Sequence, residues 1–195
     1  HADAVTDGFT TVDLSGDTNT AAVNVINASN ITGVTGMTLT GGSGVDTITG
    51  TNNADIITGN GGVDTIVAGT GDDTVVYVAT ADLVSGGLVV DSVDGGSGAN
   101  DAILISNTAA AFTLAVTDDL LRLSDVEKIT SIATNQVISL TLHADAVTDG
   151  FTTVDLSGDT DATANNVINA TAITGSTGMT LTGSAGIDTI TGTDY

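Results

Sequence analysis

An aspartate returns at every ninth position between residues 41 and 76, at Asp46, Asp55, Asp64 and Asp73, and an aliphatic residue stands two places after each one. The segments are GGSGVDTIT (41–49), GTNNADIIT (50–58), GNGGVDTIV (59–67) and AGTGDDTVV (68–76). Each reads as six residues able to turn tightly, followed by three that suit a short strand. Ile48, Ile57, Ile66 and Val75 hold the central strand position, and all can point inward only if successive strands stack in register, about 4.8 Å apart. Two nonapeptides then close one coil of 18 residues. This sets Asp46 above Asp64 on one edge and Asp55 above Asp73 on the other.

Two carboxylates stacked about 5 Å apart repel by roughly 3 kcal/mol at an effective dielectric of ~20. Aspartate is common in turns on its own account, but turn preference does not predict a fixed phase with glycine before and isoleucine after. A hard cation between successive turns reverses the sign of the interaction, and glycine corners let backbone carbonyls complete an oxygen shell of the kind Ca²⁺ takes. The two columns therefore read as seats for calcium.

Composition supports a cation as first partner. Twenty-four acidic residues face two basic ones, Arg122 and Lys128, for a formal charge of -22, yet 41% of the chain is hydrophobic. Disordered acidic tails combine charge with low hydrophobicity, so this chain buries a core. Only Glu127 among the acids is a glutamate. The charge excludes a nucleic-acid footprint and attraction to anionic membranes, and no run of about 20 apolar residues inserts into a bilayer. Three Phe, two Tyr and no Trp leave packing to aliphatic side chains, which suits stacked β-branched strands. The absence of cysteine removes disulfides and thiolate metal sites. Beginning at His1 rather than Met, the chain reads as a piece of a longer protein, so a missing targeting segment carries little weight.

A second repeat lies above the first. Residues 1–51 recur at 143–193 with a constant offset of 142, and 41 of the 51 positions are identical. We read residues 1–142 as one complete tandem unit with its roll at 41–76, and residues 143–195 as the start of the next, cut within its first aspartate turns. No linker separates the copies, which favours a continuous structure. The expected fold is all-β, a right-handed parallel β-solenoid. Further strands are expected near residues 11 and 153 (TTVDLS), at 24–27 and 166–169 (NVIN), at 37–40 and 179–182 (MTLT), and at 88–90, 102–106, 128–132 and 137–142, with short helical turns at 2–8 and 117–127.

GGSGVDTIT fits GGxGxDxUx, U being a large aliphatic residue, at every fixed position, and the stretch 41–76 resembles the RTX calcium-binding β-roll repeats of secreted bacterial proteins. The resemblance implies ions held between turns 18 residues apart. One site takes Asp46 and Asp64 with carbonyls of Gly42, Gly44 and Gly62; the other takes Asp55 and Asp73 with carbonyls near Asn53 and Gly71. Thr51, Asn52 and Asn53 stand where the pattern has a glycine-rich bend, and Asn53 is expected to supply left-handed geometry there. DGGSGANDAILI (94–105) looks like a further turn with one extra residue before Asp101, without a partner nine or eighteen places on. GSAGIDTIT (183–191) repeats the first seat through Asp188, whose partner coil lies beyond the sequence. The larger pattern resembles repeat regions of long bacterial surface proteins: adhesins, S-layer subunits and biofilm matrix fibres.

Other polar residues read plainly. Asp13, Asp17, Asp155 and Asp159 lack nine-residue companions and are expected at solvated corners. His1 and His143 recur once per unit without a second ligand, as surface or strand-end residues. Acids spread along a ladder form no sugar-stacking cleft for glycoside hydrolysis, and no serine has a partner base, so no enzyme is expected. The expected role is a calcium-binding structural repeat outside the cell, exported by type I secretion, with self-association through exposed solenoid ends. The rival roles are a folding and secretion module attached to an enzyme, or a glycan- or ice-binding repeat built on threonine faces.

Overall fold

The computed structural model describes residues 9–33, 35–106, 110–132, 136–147, 150–174 and 178–193. The chain winds as a parallel β-solenoid. Its first face is one eight-stranded sheet built from β1 (Thr11–Asp13), β3 (Thr38–Thr40), β5 (Ile56–Thr58), β7 (Thr74–Tyr77), β11 (Ala102–Ile105), β14 (Lys128–Ser131), β16 (Thr153–Asp155) and β18 (Thr180–Thr182), stacked in that order. The opposite face comes in two pieces. Five strands stack as β13 (Leu123–Ser124), β10 (Ser92–Asp94), β6 (Thr65–Val67), β4 (Val45–Thr49) and β2 (Val23–Asn27). Four more stack as β12 (Phe112–Leu114), β15 (Ile138–Thr141), β17 (Val167–Asn169) and β19 (Thr189–Thr191).

Strand alternation explains the register. One aliphatic residue per strand points inward, and the ladder on the first face runs Val12, Leu39, Ile57, Val75, Ile103, Ile129, Val154, Leu181. Its interior members are buried, while Val12 and Leu181, one at each end, are only partly covered. Ile26, Ile48, Ile66, Val93 and Leu123 form the facing ladder. A slip of one residue would turn each ladder outward, so the hydrophobic period fixes the pairing.

The step between coils is 18 residues only where nonapeptides follow one another, as in Leu39, Ile57 and Val75. Elsewhere the loops lengthen. The coil joining β7 to β10 carries a one-turn helix α1 (Thr80–Leu83) and an antiparallel hairpin of β8 (Val84–Ser85) and β9 (Leu88–Val89). The strand expected at 88–90 is β9, which pairs back on β8 as the second arm of that hairpin. The helical turn expected at 117–127 is instead a single turn into β13, in which the Leu123 N–H donates to the Leu120 carbonyl at 2.8 Å and both leucines enter the core. The one expected at 2–8 lies outside the described residues. Strands pair across the boundary between residues 142 and 143, with Lys128 opposite Thr153 and Leu140 opposite Ile168. Among the described residues no helix is long and apolar enough to cross a membrane.

Candidate metal centre

Asp55, Asp64 and Asp73 stand just before their strands and Asp46 is the second residue of β4, each where the chain turns from glycine corner to ladder. Asp46, Asp55, Asp64 and Asp73 are all buried, with at most 1% of their surface exposed. Each carboxylate reaches back one coil: the N–H of Asp46 donates to Asp64 Oδ1 at 2.8 Å, and the N–H of Asp55 donates to Asp73 Oδ1 at 2.7 Å, both across 18 residues. The two predicted pairs are therefore brought together.

Both columns extend further than the nine-residue period shows. Asp64 donates its N–H to Asp91 Oδ1 at 2.8 Å, and Asp73 donates to Asp101 Oδ1 at 2.6 Å. Asp101 in turn donates to Glu127 Oε2 at 2.8 Å. Asp101 thus has column neighbours on both sides, although none lies nine or eighteen positions away. Asp91 and Glu127 escaped the sequence reading because longer loops precede them. The surviving trace is an acid with an aliphatic residue two places on, Asp91 with Val93 and Glu127 with Ile129.

The remaining carboxylate oxygens divide into satisfied and orphaned. Asp46 accepts from Gly42 N–H at 2.6 Å and Asn24 Nδ2 at 2.8 Å. Asp55 accepts from Met37 N–H, and from the Thr51 N–H and Oγ1. Asp91 Oδ2 accepts from the Tyr77 hydroxyl at 3.0 Å. Asp64 Oδ2 and Asp73 Oδ2 are buried and accept nothing. A buried charge without a partner is costly, so each column has one oxygen whose natural complement is a cation. Burial drives the Asp64 carboxyl up to about 7, with the charges of Asp91 and Asp46 adding to the rise. Burial likewise lifts Asp73 to about 6 and Asp91 to about 6, and raises Asp101.

The corners leave room for carbonyl donors. A side chain at Gly59 would collide with Asp64 Oδ2, and one at Gly98 with Asp101 and the Gly71 carbonyl. Gly62, at φ 130, faces the Gly44 carbonyl, and Gly71, at φ 121, abuts Asn53. Gly42 lies against Asp17 and Asn24. The predicted glycines thus sit on the same edges as the aspartates. Asn53 corrects an expectation: it is not left-handed, because Thr51 Oγ1 accepts its N–H at 3.0 Å and braces the bend. The left-handed asparagine is Asn60, at φ 67, whose Nδ2 donates to the Gly41 carbonyl at 2.8 Å. Among the described residues no group of three or more His, Cys, Asp or Glu converges on one point. The donor set fits Ca²⁺ through stacked aspartate pairs completed by backbone oxygen.

Asp188 stands apart. It is opposite Asn166, half-buried, and its carboxylate is taken by the Ser184 N–H at 2.7 Å and the Ser184 hydroxyl at 2.8 Å. Asp159 corrects a second expectation: it is fully buried, accepting from Asn166 Nδ2 at 2.7 Å, whereas Asp13 is exposed and Asp17 and Asp155 are half-exposed. His143 lies just past β15 with Nδ1 against Asp145 Oδ1 at 2.5 Å; His1 falls outside the described residues.

An all-β parallel solenoid with buried aspartate columns on glycine corners defines a calcium-binding β-roll. The family model for the RTX calcium-binding nonapeptide repeat, in four copies, matches residues 40–75 and 174–194. The chain thus carries RTX repeats, whose ion is Ca²⁺ and which typify secreted proteins. No curated protein and no solved structure matches the chain significantly.

Proposed function

We propose that this chain is a calcium-rigidified structural repeat of an extracellular bacterial surface, S-layer, adhesin or biofilm matrix protein, exported by type I secretion. The observation that carries this reading is the pair of orphaned, buried oxygens, Asp64 Oδ2 and Asp73 Oδ2, one in each stacked column. Asp46 and Asp64 hold one ion with carbonyls of Gly42, Gly44 and Gly62. Asp55 and Asp73 hold another with carbonyls of Asn53 and Gly71. Asp101 extends the second column, and Asp188 is the first half of an equivalent seat in the second copy.

When bound, Ca²⁺ supplies the double positive charge that cancels the stacked carboxylates. The chain's own part is to hold those carboxylates in register, through N–H donors one coil back, and to exclude water from them. With a site of Kd ~10⁻⁴ M and free ion a hundredfold higher, each ion adds ~2.7 kcal/mol to the folded state. Two such ions decide the folding of a marginally stable chain. Calcium is scarce in the cytosol and abundant outside, so folding follows export, and tandem units give a stiff rod.

A circular dichroism titration tests the proposal. Calcium should convert a largely unstructured spectrum to a β spectrum while magnesium does not. A full β spectrum in EDTA that calcium leaves unchanged would overturn it.

A further inference from the structure

The two copies of the repeated segment have different surroundings. In the second copy Phe151, Val154 and Leu156 are buried, and strands β14 and β15 stack on that copy, Ile129 pairing with Val154 and Leu140 with Ile168. In the first copy the corresponding residues are Phe9, Val12 and Leu14. Phe9 is 48% exposed, Val12 and Leu14 are half-buried, and together they line an open apolar cavity of about 310 Å³. Every residue lining that cavity recurs unchanged 142 positions on. The same surface is thus seen once covered and once bare.

Polar groups tell the same story. Gly158 is a glycine by necessity, since a Cβ there would run into the Ser131 carbonyl, while its counterpart Gly16 has nothing within 4 Å. Asn166 Oδ1 accepts the Ile138 N–H at 2.7 Å, whereas among the described residues Asn24 bonds through its Nδ2 alone, toward Asp17 and Asp46. Asp159 is wholly buried and Asp17 only half so. Among the described residues strands β1 and β2 each pair on one side only, and neither carries the Lys or Pro that guards a solitary sheet edge.

We infer that the β1–β2 end of the solenoid is a docking surface for strands β14 and β15 of a preceding copy of this unit. The second copy prescribes the register. Ile129 of the preceding copy faces Val12, Leu140 faces Ile26, the Ile138 N–H donates to Asn24 Oδ1, and the Ser131 carbonyl enters the space over Gly16. Lys128 would come opposite Thr11, as it now stands opposite Thr153, and beside Asp13 as it now stands beside Asp155. The joint needs no ion, so it stands or falls separately from calcium binding. It makes the hydrophobic core continuous from unit to unit.

The chain has no cysteine, so Phe9→Cys introduces a single reactive thiol. The test compares the full chain with the same chain preceded by an additional copy of residues 101–142, both in saturating Ca²⁺ and with a β spectrum verified first. Phe9→Cys should label rapidly in the chain alone and about 100-fold more slowly behind the added coil, the protection of a group reached only by local opening. Phe151→Cys should label slowly in both. Gly16→Ala should leave the chain alone unaffected but restore fast labelling at position 9 in the extended chain, because its Cβ would block the Ser131 carbonyl. Equal labelling of Phe9→Cys in both chains would overturn the inference, as would slow labelling that Gly16→Ala leaves untouched.

Discussion

The N–H of Asp46 donates to Asp64 Oδ1 across one coil at 2.8 Å, while Asp64 Oδ2, equally buried, has no partner. One oxygen thus ties two coils together, and the other is left for a cation. Asp73 repeats the arrangement beneath Asp55 on the opposite edge.

Asp64→Asn keeps the shape and removes the charge. In EDTA the variant should be more stable than the parent, since a buried carboxylate without a partner has gone. In millimolar Ca²⁺ it should lose ~2–3 kcal/mol of ion-linked stabilisation, the contribution of one site near a hundredfold saturation. The residual β signal in EDTA reads the first effect and chemical denaturation in calcium the second, and a calcium-linked stability equal to the parent's would contradict the assignment.

Acidity should act oppositely with and without the ion. Asp64 rises from an ordinary 3.8 to about 7 on folding, and Asp73 and Asp91 to about 6. The folded carboxyls therefore hold protons more tightly than the unfolded ones. Without calcium, the folded state has its full advantage below pH 3.8 and loses it as pH rises to about 7. With calcium the trend should reverse, because protons compete with the ion for the same oxygens. The β signal in EDTA should be larger at pH 5 than at pH 8, and thermal melts in calcium should show the opposite order.

Two neighbouring glycines should respond differently to alanine. Gly62 has φ 130, and a Cβ there would strike the Gly44 carbonyl, whereas Gly61 has open space around it. Gly62→Ala should cost ~1–3 kcal/mol, the range for a residue forced into a sparsely populated backbone region. Gly61→Ala should stay within about 0.5 kcal/mol of the parent. Denaturant midpoints for the two variants measure the contrast.

Tyr77→Phe should destabilise the chain by ~1–3 kcal/mol through the orphaned Asp91 oxygen rather than through packing. Tyr77 is buried and donates its hydroxyl to Asp91 Oδ2. Replacing Asp91 by Asn in the Tyr77→Phe background should recover part of the loss, and a double-mutant cycle without coupling would refute the link.

The nonapeptides were legible because three periods coincide there: glycine for the corner, aspartate before the strand, and an aliphatic residue inside it. That coincidence alone places Ile48 over Ile66 and Asp46 over Asp64, as the fold has them. Asp91 and Glu127 keep the aspartate-to-aliphatic spacing but follow loops of irregular length. A fixed period could not find them, because loop length changes freely while the inward ladder sets the register. The hairpin of β8 and β9 was hidden for the same reason. The burial of Asp159 was hidden because its local sequence is that of half-exposed Asp17: each accepts from an asparagine seven residues on, and only the β14–β15 strands over the second copy make the difference.

The most direct test is a crystal structure in millimolar Ca²⁺ with anomalous scattering recorded at a wavelength where calcium contributes. The account predicts anomalous peaks coordinated by Asp64 Oδ2 and Asp73 Oδ2, each completed by carbonyls of the glycine corners. Ordered water alone beside both oxygens, at saturating calcium, would contradict it.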